Sequence, residues 1–380
     1  MQPTPITLFL CGDVMTGRGI DQILGHPGDP RLCEDHVRSA RIYVDIAERV
    51  SGAIPRTVGP DYLWGDALAE LDRLRPDARI VNLETAITAA GEPWPGKGIH
   101  YRMHPANLAC LTAAKIDCAV LANNHVLDWG RGALADTVAT LRAAGLSTAG
   151  AGADAHEAMA PAVLELAGGA RVLVFACATL DSGVASDWAA GPSRAGVNLL
   201  DDLGDRSADA IVERVRAVAR EGDLTVLSIH WGANWGYRVG GAERAFAHRL
   251  IDSGAVHVVH GHSSHHPRPI EVYRDRLILY GCGDLINDYE GIGGHESFRP
   301  ELALMYFPTF ERAGGRLLRL ALVPMRLRRF RLERARREEA NWLETTLDRE
   351  SRPFRTRVRR EPDGEMVVGW DRGACPATDG

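Results

Sequence analysis

Ile6-Thr7-Leu8-Phe9-Leu10-Cys11-Gly12-Asp13 is an apolar run that stops on a small residue and a carboxylate. A run this short, closed by glycine, reads as a buried strand. Residues 80–83, 118–121, 172–178, 224–229 and 256–259 repeat the pattern. Nearly all of these runs lead straight into polar residues: Asn82-Leu83-Glu84, Asn123-Asn124-His125, His230-Trp231-Gly232, and His260-Gly261-His262-Ser263-Ser264-His265-His266. Between them, residues 66–74, 131–144, 207–220 and 243–251 space their apolar side chains by three and four, as helices do. Strands alternating with helices predict a layered α/β domain whose helices cover the sheets.

The last third changes character. Residues 270–273, 277–280, 302–309 and 317–323 read as strands separated by room for turns only, which predicts an antiparallel section completing a second sheet. From about residue 326 arginines crowd the chain, with Glu333, Glu338, Glu339, Glu344, Asp348 and Glu350 among them. Interleaved signs describe a solvated face rather than a polyanion site. This segment reads as a strand or linker, a helix near 336–347 and a short strand around 365–370. We therefore expect a main domain over residues 1–325 and an extension over 326–380 packed against it.

Composition narrows the class. At roughly 150 residues per domain, 380 residues suit two or three domains, or one large domain with an appendage. With 45% hydrophobic and 25% charged residues, disorder and collagen-like architecture are excluded. The apolar stretch near the start falls far short of the ~20 residues of a membrane span, and no basic segment precedes it. The expectation is a cytoplasmic protein without a membrane span. Seven cysteines (Cys11, Cys33, Cys110, Cys118, Cys177, Cys282 and Cys375) are odd in number and lack CxxC spacing, which speaks against a disulfide framework or a thiolate zinc site. A net charge of −6 gives no support to nucleic-acid binding. Of the 44 basic residues only Lys97 and Lys115 are lysines.

In layered α/β sheets, ligands bind beyond the carboxyl ends of the strands. Asp13, Glu84, Asn124, His125, His230, His262 and His265 would converge there on one rim. Mixed oxygen and imidazole donors suit Mn, Fe, Co or Zn. Taken singly, each has a plain alternative: Asp13 as a turn or cap residue, Asn123-Asn124 as an Asx turn before a satisfied histidine. The stretch from His257 to His266 nevertheless holds five of the fourteen histidines.

The order of these pieces resembles the calcineurin-like metallophosphoesterase superfamily. Gly12-Asp13-Val14-Met15-Thr16-Gly17-Arg18, Asn82-Leu83-Glu84, Leu121-Ala122-Asn123-Asn124-His125-Val126-Leu127-Asp128-Trp129-Gly130, His230-Trp231-Gly232 and Pro269-Ile270-Glu271-Val272-Tyr273 are similar, more closely, to the CapA family of poly-γ-glutamate capsule synthesis proteins. The likeness spans about residues 5–290. It implies a metallophosphatase-like, four-layer α-β-β-α sandwich with one or two divalent ions (Mn, Fe or Zn) at the strand ends. By that likeness Asp13 binds the first metal, Glu84 bridges, Asn124 and His230 bind the second, and His262 and His265 supply the remaining imidazoles. His125, oriented by Asp128, would stand beside the substrate as an acid or charge stabiliser. Two cations so placed clamp an oxyanion and make hydroxide available near neutral pH.

Two departures matter. The superfamily's Asp-x-His has Met15 in its third position, and its Gly-His-x-His carries one extra residue here. Counting back from Ile270-Glu271 matches His265 to the second ligand, leaves His262 one place off the first, and makes His266 a substitute.

For substrate, Arg102 and Arg18 could grip phosphate or carboxylate by their forks, although a salt bridge and a glycine-flanked bend account for them equally. Trp231 and Asn234, with Trp235 and Tyr237, could wall a pocket or pack beneath a loop. Asp284, Asn287 and Asp288 either join the rim or cap a turn. The expected function is a metal-dependent hydrolase or transferase acting on a small acidic or phosphorylated substrate: a phosphate ester, an acyl phosphate or a γ-glutamyl-type amide of a metabolite or polymer. The alternative is a non-catalytic, metal-binding accessory protein of poly-γ-glutamate or related capsule biosynthesis. The sequence leaves the oligomeric state open.

Overall fold

The computed structural model describes residues 4–362 and 364–371; Cys375 lies outside them. Two large sheets carry the fold. In the first, β1 (Ile6–Val14), β2 (Ala78–Leu83), β3 (Cys118–Val120) and β4 (Ser147–Ala149) run parallel in that spatial order. The second is built on β5 (Arg171–Thr179), β6 (Leu224–His230) and β7 (Val258–His262), also parallel. Two more strands extend it. Of these, β8 (Ile270–Tyr273) is antiparallel to β9 (Arg276–Leu279), and β9 lies parallel to β7.

The chain then crosses back. β10 (Asp284–Ile286) pairs with β1, setting Asp284 opposite Asp13. β11 (Leu302–Phe310), β12 (Leu317–Arg328), β13 (Thr356–Arg360) and β14 (Met366–Trp370) complete the first sheet in the order β13-β14-β12-β11-β1-β2-β3-β4. The antiparallel section expected wholly in the second sheet is thus divided between the two, because a strand's own pattern does not specify its neighbour. The boundary expected between residues 325 and 326 falls inside β12.

The longer helices are α1 (Arg41–Ser51), α2 (Ala67–Leu74), α3 (Gly130–Ala143), α4 (Asp205–Val218), α5 (Gly241–Asp252) and α6 (Arg337–Ser351). Every residue of β5 is buried, and its two faces have different neighbours. Leu173, Phe175 and Cys177 cluster with Ile211 and Val215 of α4 and Phe246 and Leu250 of α5. Val172, Val174, Ala176 and Ala178 belong instead to the main core, with Leu8 and Leu10 of β1. Two apolar neighbours leave no position for a polar residue, which is why these strands read as unbroken apolar runs.

The C-terminal segment ties the sheets together: Ser351 Oγ accepts from Ile270 N at 3.0 Å and Thr356 Oγ1 from Val272 N at 3.3 Å. Among the described residues the cysteines are free thiols, and no helix is long and apolar enough to cross a membrane.

Candidate metal centre

Gly12 explains the start of the site. A Cβ there would lie 1.8 Å from Gly283 O, so only glycine lets β1 meet the chain entering β10 closely enough to bring Asp13 beside Asp284. From β2, Asn82 uses both amide hydrogens on the cluster, donating to Asp13 Oδ1 at 2.7 Å and Glu84 Oε2 at 2.5 Å. Asn123 in turn donates to Asn82 Oδ1 at 3.0 Å, while its own Oδ1 accepts from the backbone of His125 and Val126. Two asparagines outside the expected ligand set therefore fix the carboxylates.

From the second sheet, His230 and His262 face each other across 2.8 Å through Nδ1, and Ser228 Oγ holds His262 Nε2 at 2.9 Å. After His262 the backbone enters the left-handed region at Ser263, with a φ of 97° that L-residues seldom adopt. The turn brings His265 Nδ1 to 3.1 Å from Asp284 Oδ1. Ligand atoms of Asp13, His230 and His262 lie within 4.8 Å of one another, and so do those of Asp13, His265 and Asp284. Asp13 is common to both groups, the position expected of Glu84. Glu84 stands beside them, 3.6 Å from His230 Nε2.

The chemistry of this donor set fits a cation. Asp13 Oδ2 and Asn124 Oδ1 are buried without a hydrogen-bond partner, an arrangement that costs about 1–3 kcal/mol each unless something else satisfies them. Burial, then repulsion from Asp284, pushes the Asp13 carboxyl up to about 7. Burial and the Asp13 charge raise Glu84 as well. Burial drives His230 and His262 toward the neutral form, which is the form that binds metal. At His265 burial again disfavours the charge, but the Asp284 carboxylate outweighs it and raises the pKa.

His125 stands apart from the ligand groups. Its Nδ1 is 2.7 Å from Asp128 Oδ2, which also accepts from Tyr101 N at 2.6 Å, and the Tyr101 ring packs 4.0 Å from the imidazole. Lys97 Nζ bonds Asp128 Oδ1 and approaches His125 Nδ1 to 3.0 Å. Burial brings His125 down to about 4 despite the Asp128 charge. Lys97 was not anticipated as a site residue; its rarity in an arginine-rich chain, between Gly96 and Gly98, was the available signal.

A cleft of about 530 Å³ opens over the centre, lined by Glu84, Asn124, His125, His230 and His265 and walled by Trp235 and Tyr289. Asn234 lines it too, and its carbonyl accepts from His265 N at 2.9 Å. The other substrate candidates have partners elsewhere. Arg18 borders the cleft, but its fork is held by Asp288, through Nε at 2.8 Å and Nη2 at 2.5 Å, and by Glu34 at 3.1 Å. Arg102 stacks on Trp129, 3.7 Å from the ring centroid, outside the cleft. Trp231 is buried in the cluster with α4 and α5 and donates to Tyr280 O at 3.0 Å. A strand alternates its side chains, so the residue after His230 faces away from the site. His266, the possible substitute ligand, is also committed, accepting from Gly236 N at 2.9 Å and meeting Pro267 O at 3.1 Å. Asp284 joins the rim, and Asp288 is engaged by Arg18.

Residues 7–289 match the family described as bacterial capsule synthesis protein PGA_cap. Over 367 residues the chain is 50% identical to a probable polyglutamine synthesis accessory protein found in two strains of Mycobacterium tuberculosis, covering 96% of both sequences. It is 24% identical over 284 residues to the capsule biosynthesis protein CapA of Bacillus anthracis, spanning 74% of this chain and 60% of that one. With the PGA biosynthesis protein CapA of Bacillus subtilis the identity is 23% over 278 residues, or 73% and 62%.

Proposed function

The chain belongs to the bacterial capsule synthesis (PGA_cap) family, and from that premise we propose that it is a metal-dependent hydrolase or transferase acting on a phosphorylated or γ-glutamyl-linked acidic molecule. The observation that carries the proposal is the pair of ligand groups sharing Asp13, with Asp13 Oδ2 and Asn124 Oδ1 left unpartnered, on the cleft that His125 also faces. Two sheets, with α4 and α5 clustered on one face of the second, support the finer reading of the fold as a four-layer α-β-β-α sandwich of metallophosphatase type.

Asp13, His230 and His262 would hold one ion and Asp13, His265 and Asp284 the other, with Glu84 and Asn124 adding oxygens. A divalent cation there would polarise a substrate oxygen and make an activated water available as nucleophile. Asn82 keeps Asp13 and Glu84 in register for that role. Asp128 fixes the His125 ring, so that its Nε2 is the nitrogen free to move a proton or steady charge at the leaving group. Lys97 balances the Asp128 charge, and Asn234 and Trp235 wall the substrate.

A second reading, a metal-binding accessory protein without turnover, is favoured by the name of the Mycobacterium tuberculosis relatives and by Met15 in place of a ligand histidine. Metal content per chain, on protein purified without chelator, tests the centre. One or two equivalents that fall in His230→Ala are expected, and no uptake after reconstitution with Mn, Fe or Zn overturns the hydrolase reading. Turnover of phosphate esters and γ-glutamyl amides then separates the two readings. His125→Ala should abolish it, by about a hundredfold or more, while keeping metal and fold; a scaffold has no turnover to lose.

A further inference from the structure

Three tyrosines border the cleft, and their hydroxyl protons have different fates. Tyr43 donates to Glu34 Oε2 and is committed. Tyr101 and Tyr289 are hydrogen-bonded to each other, oxygen to oxygen, at 2.6 Å. A phenol has one proton to donate, so a pair of phenols bonded to each other uses one and keeps one. Among the described residues no protein acceptor takes the second. Both line the cleft, Tyr101 at 2% exposed and Tyr289 partly exposed. Either oxygen can be the donor within the pair, and the more exposed ring, Tyr289, is the better placed to offer the remaining proton to a bound group.

The surroundings hold this pair in place. Tyr289 N donates to Asn287 Oδ1 at 3.0 Å, and Asn287 Nδ2 donates to Asp284 Oδ2 at 2.8 Å, which links Tyr289 to the ligand group in two steps. The Arg18 guanidinium lies 4.9 Å from the Tyr101 ring centroid and 5.8 Å from that of Tyr289. The Tyr101 ring packs on His125, and the Tyr289 ring meets His265 edge-on at 5.2 Å. The hydroxyl pair thus spans the interval between the proton-handling histidine and the ligand cluster.

We propose that Tyr289 contacts the substrate, its O–H donating to an anionic oxygen, phosphoryl or carboxylate, while Tyr101 donates to Tyr289 Oη and aims it. The proposal rests on the hydrolase reading and gives the buried Arg18–Asp288 pair a purpose, since it packs beside the rings that carry the donor.

Manganese-loaded protein is titrated calorimetrically with inorganic phosphate and, separately, with glutarate; whichever anion binds identifies the oxygen class. Tyr289→Phe should weaken that anion about tenfold, the effect of losing one hydrogen bond to a charged acceptor. Tyr101→Phe removes the hydroxyl that aims the donor: it should weaken the anion, but by less than Tyr289→Phe does, with the double variant matching Tyr289→Phe. Metal content should be unchanged in all three, unlike His230→Ala. Wild-type affinity in Tyr289→Phe, or the larger loss falling on Tyr101→Phe, overturns the proposal. Binding of manganese but of neither anion overturns it and leaves the metal centre standing; failure to bind manganese overturns both.

Discussion

His262 ends β7 and His266 lies on the short loop that follows, and the hydrogen bonds of each decide its use. His262 faces His230 within a ligand group, whereas His266 is engaged by Gly236 N and Pro267 O and packs on Phe298 with ring centroids 4.6 Å apart. His266→Ala should keep its metal and lose about 1–3 kcal/mol of stability, because it leaves the buried Pro267 O and the half-buried Gly236 N without their partner. His230→Ala should lose metal. Elemental analysis beside chemical denaturation checks both, and a His266→Ala protein as metal-poor as His230→Ala would show the loop to be wrongly assigned. Several of the site residues were legible because each follows a strand at its carboxyl end. Asp284 was legible only as one of two alternatives, rim or turn cap, since its carboxylate reaches Asp13 through the pairing of β10 with β1, and no spacing in the chain encodes which strands pair. Trp231 shares its motif with His230, and of the two places open to it, pocket wall or buried packing, it takes the second, because adjacency in sequence places neighbouring strand residues on opposite faces.

At the level of elements, α6 and β13 hang on one carboxylate. Asp348 accepts from Arg352 Nη2 at 2.6 Å, Arg357 Nε at 2.7 Å and Val358 N at 3.1 Å. Burial opposes its charge, but these hydrogen bonds prevail and bring its pKa down to about 2. A carboxyl with a folded pKa below its unfolded value stabilises the protein above the unfolded pKa, about 3.9, and ceases to as pH falls through the folded one. Both arginines are half-exposed, so water screens the pair and Asp348→Asn should cost only about 1 kcal/mol at neutral pH. The gap to wild type should close between about pH 4 and pH 2, as read by urea unfolding; a gap that persists at the acid end would assign the loss to packing rather than charge. The helix was visible in the sequence through its apolar spacing, and the long strands through their unbroken runs. β4 and β10, three residues each, are too short to carry a pattern, and the allegiance of β11 and β12 to the first sheet is a long-range choice that no local pattern expresses.

Over the whole molecule, the centre is a joint between the sheets. Asp13 and Asp284 come from the first sheet, whereas His230, His262 and His265 come from the second. A cation held by both groups would cross-link them, and without one the joint brings carboxylates together in a buried place. The pH dependence follows from the signs. Asp13, Glu84 and His265 have raised pKa values, so the folded protein binds more protons than the unfolded chain and loses stability as pH rises through their folded values. His125, His230, His260 and His262 are depressed, so the folded protein binds fewer protons below about pH 6.5 and gains stability as pH rises toward that value. Below about pH 6.5 the two sets oppose each other; above it only the first remains. Protein stripped with chelator should therefore show a falling Tm between about pH 6.5 and pH 8. Protein loaded with Mn or Zn should melt higher, because a ligand bound only to the folded state adds to its stability. Its Tm should also be flatter over that range, since a cation beside Asp13 and Asp284 offsets both the burial of the Asp13 charge and the repulsion that together raised it. Parallel Tm profiles for stripped and loaded protein would mean that the carboxylates at this joint do not hold the ion.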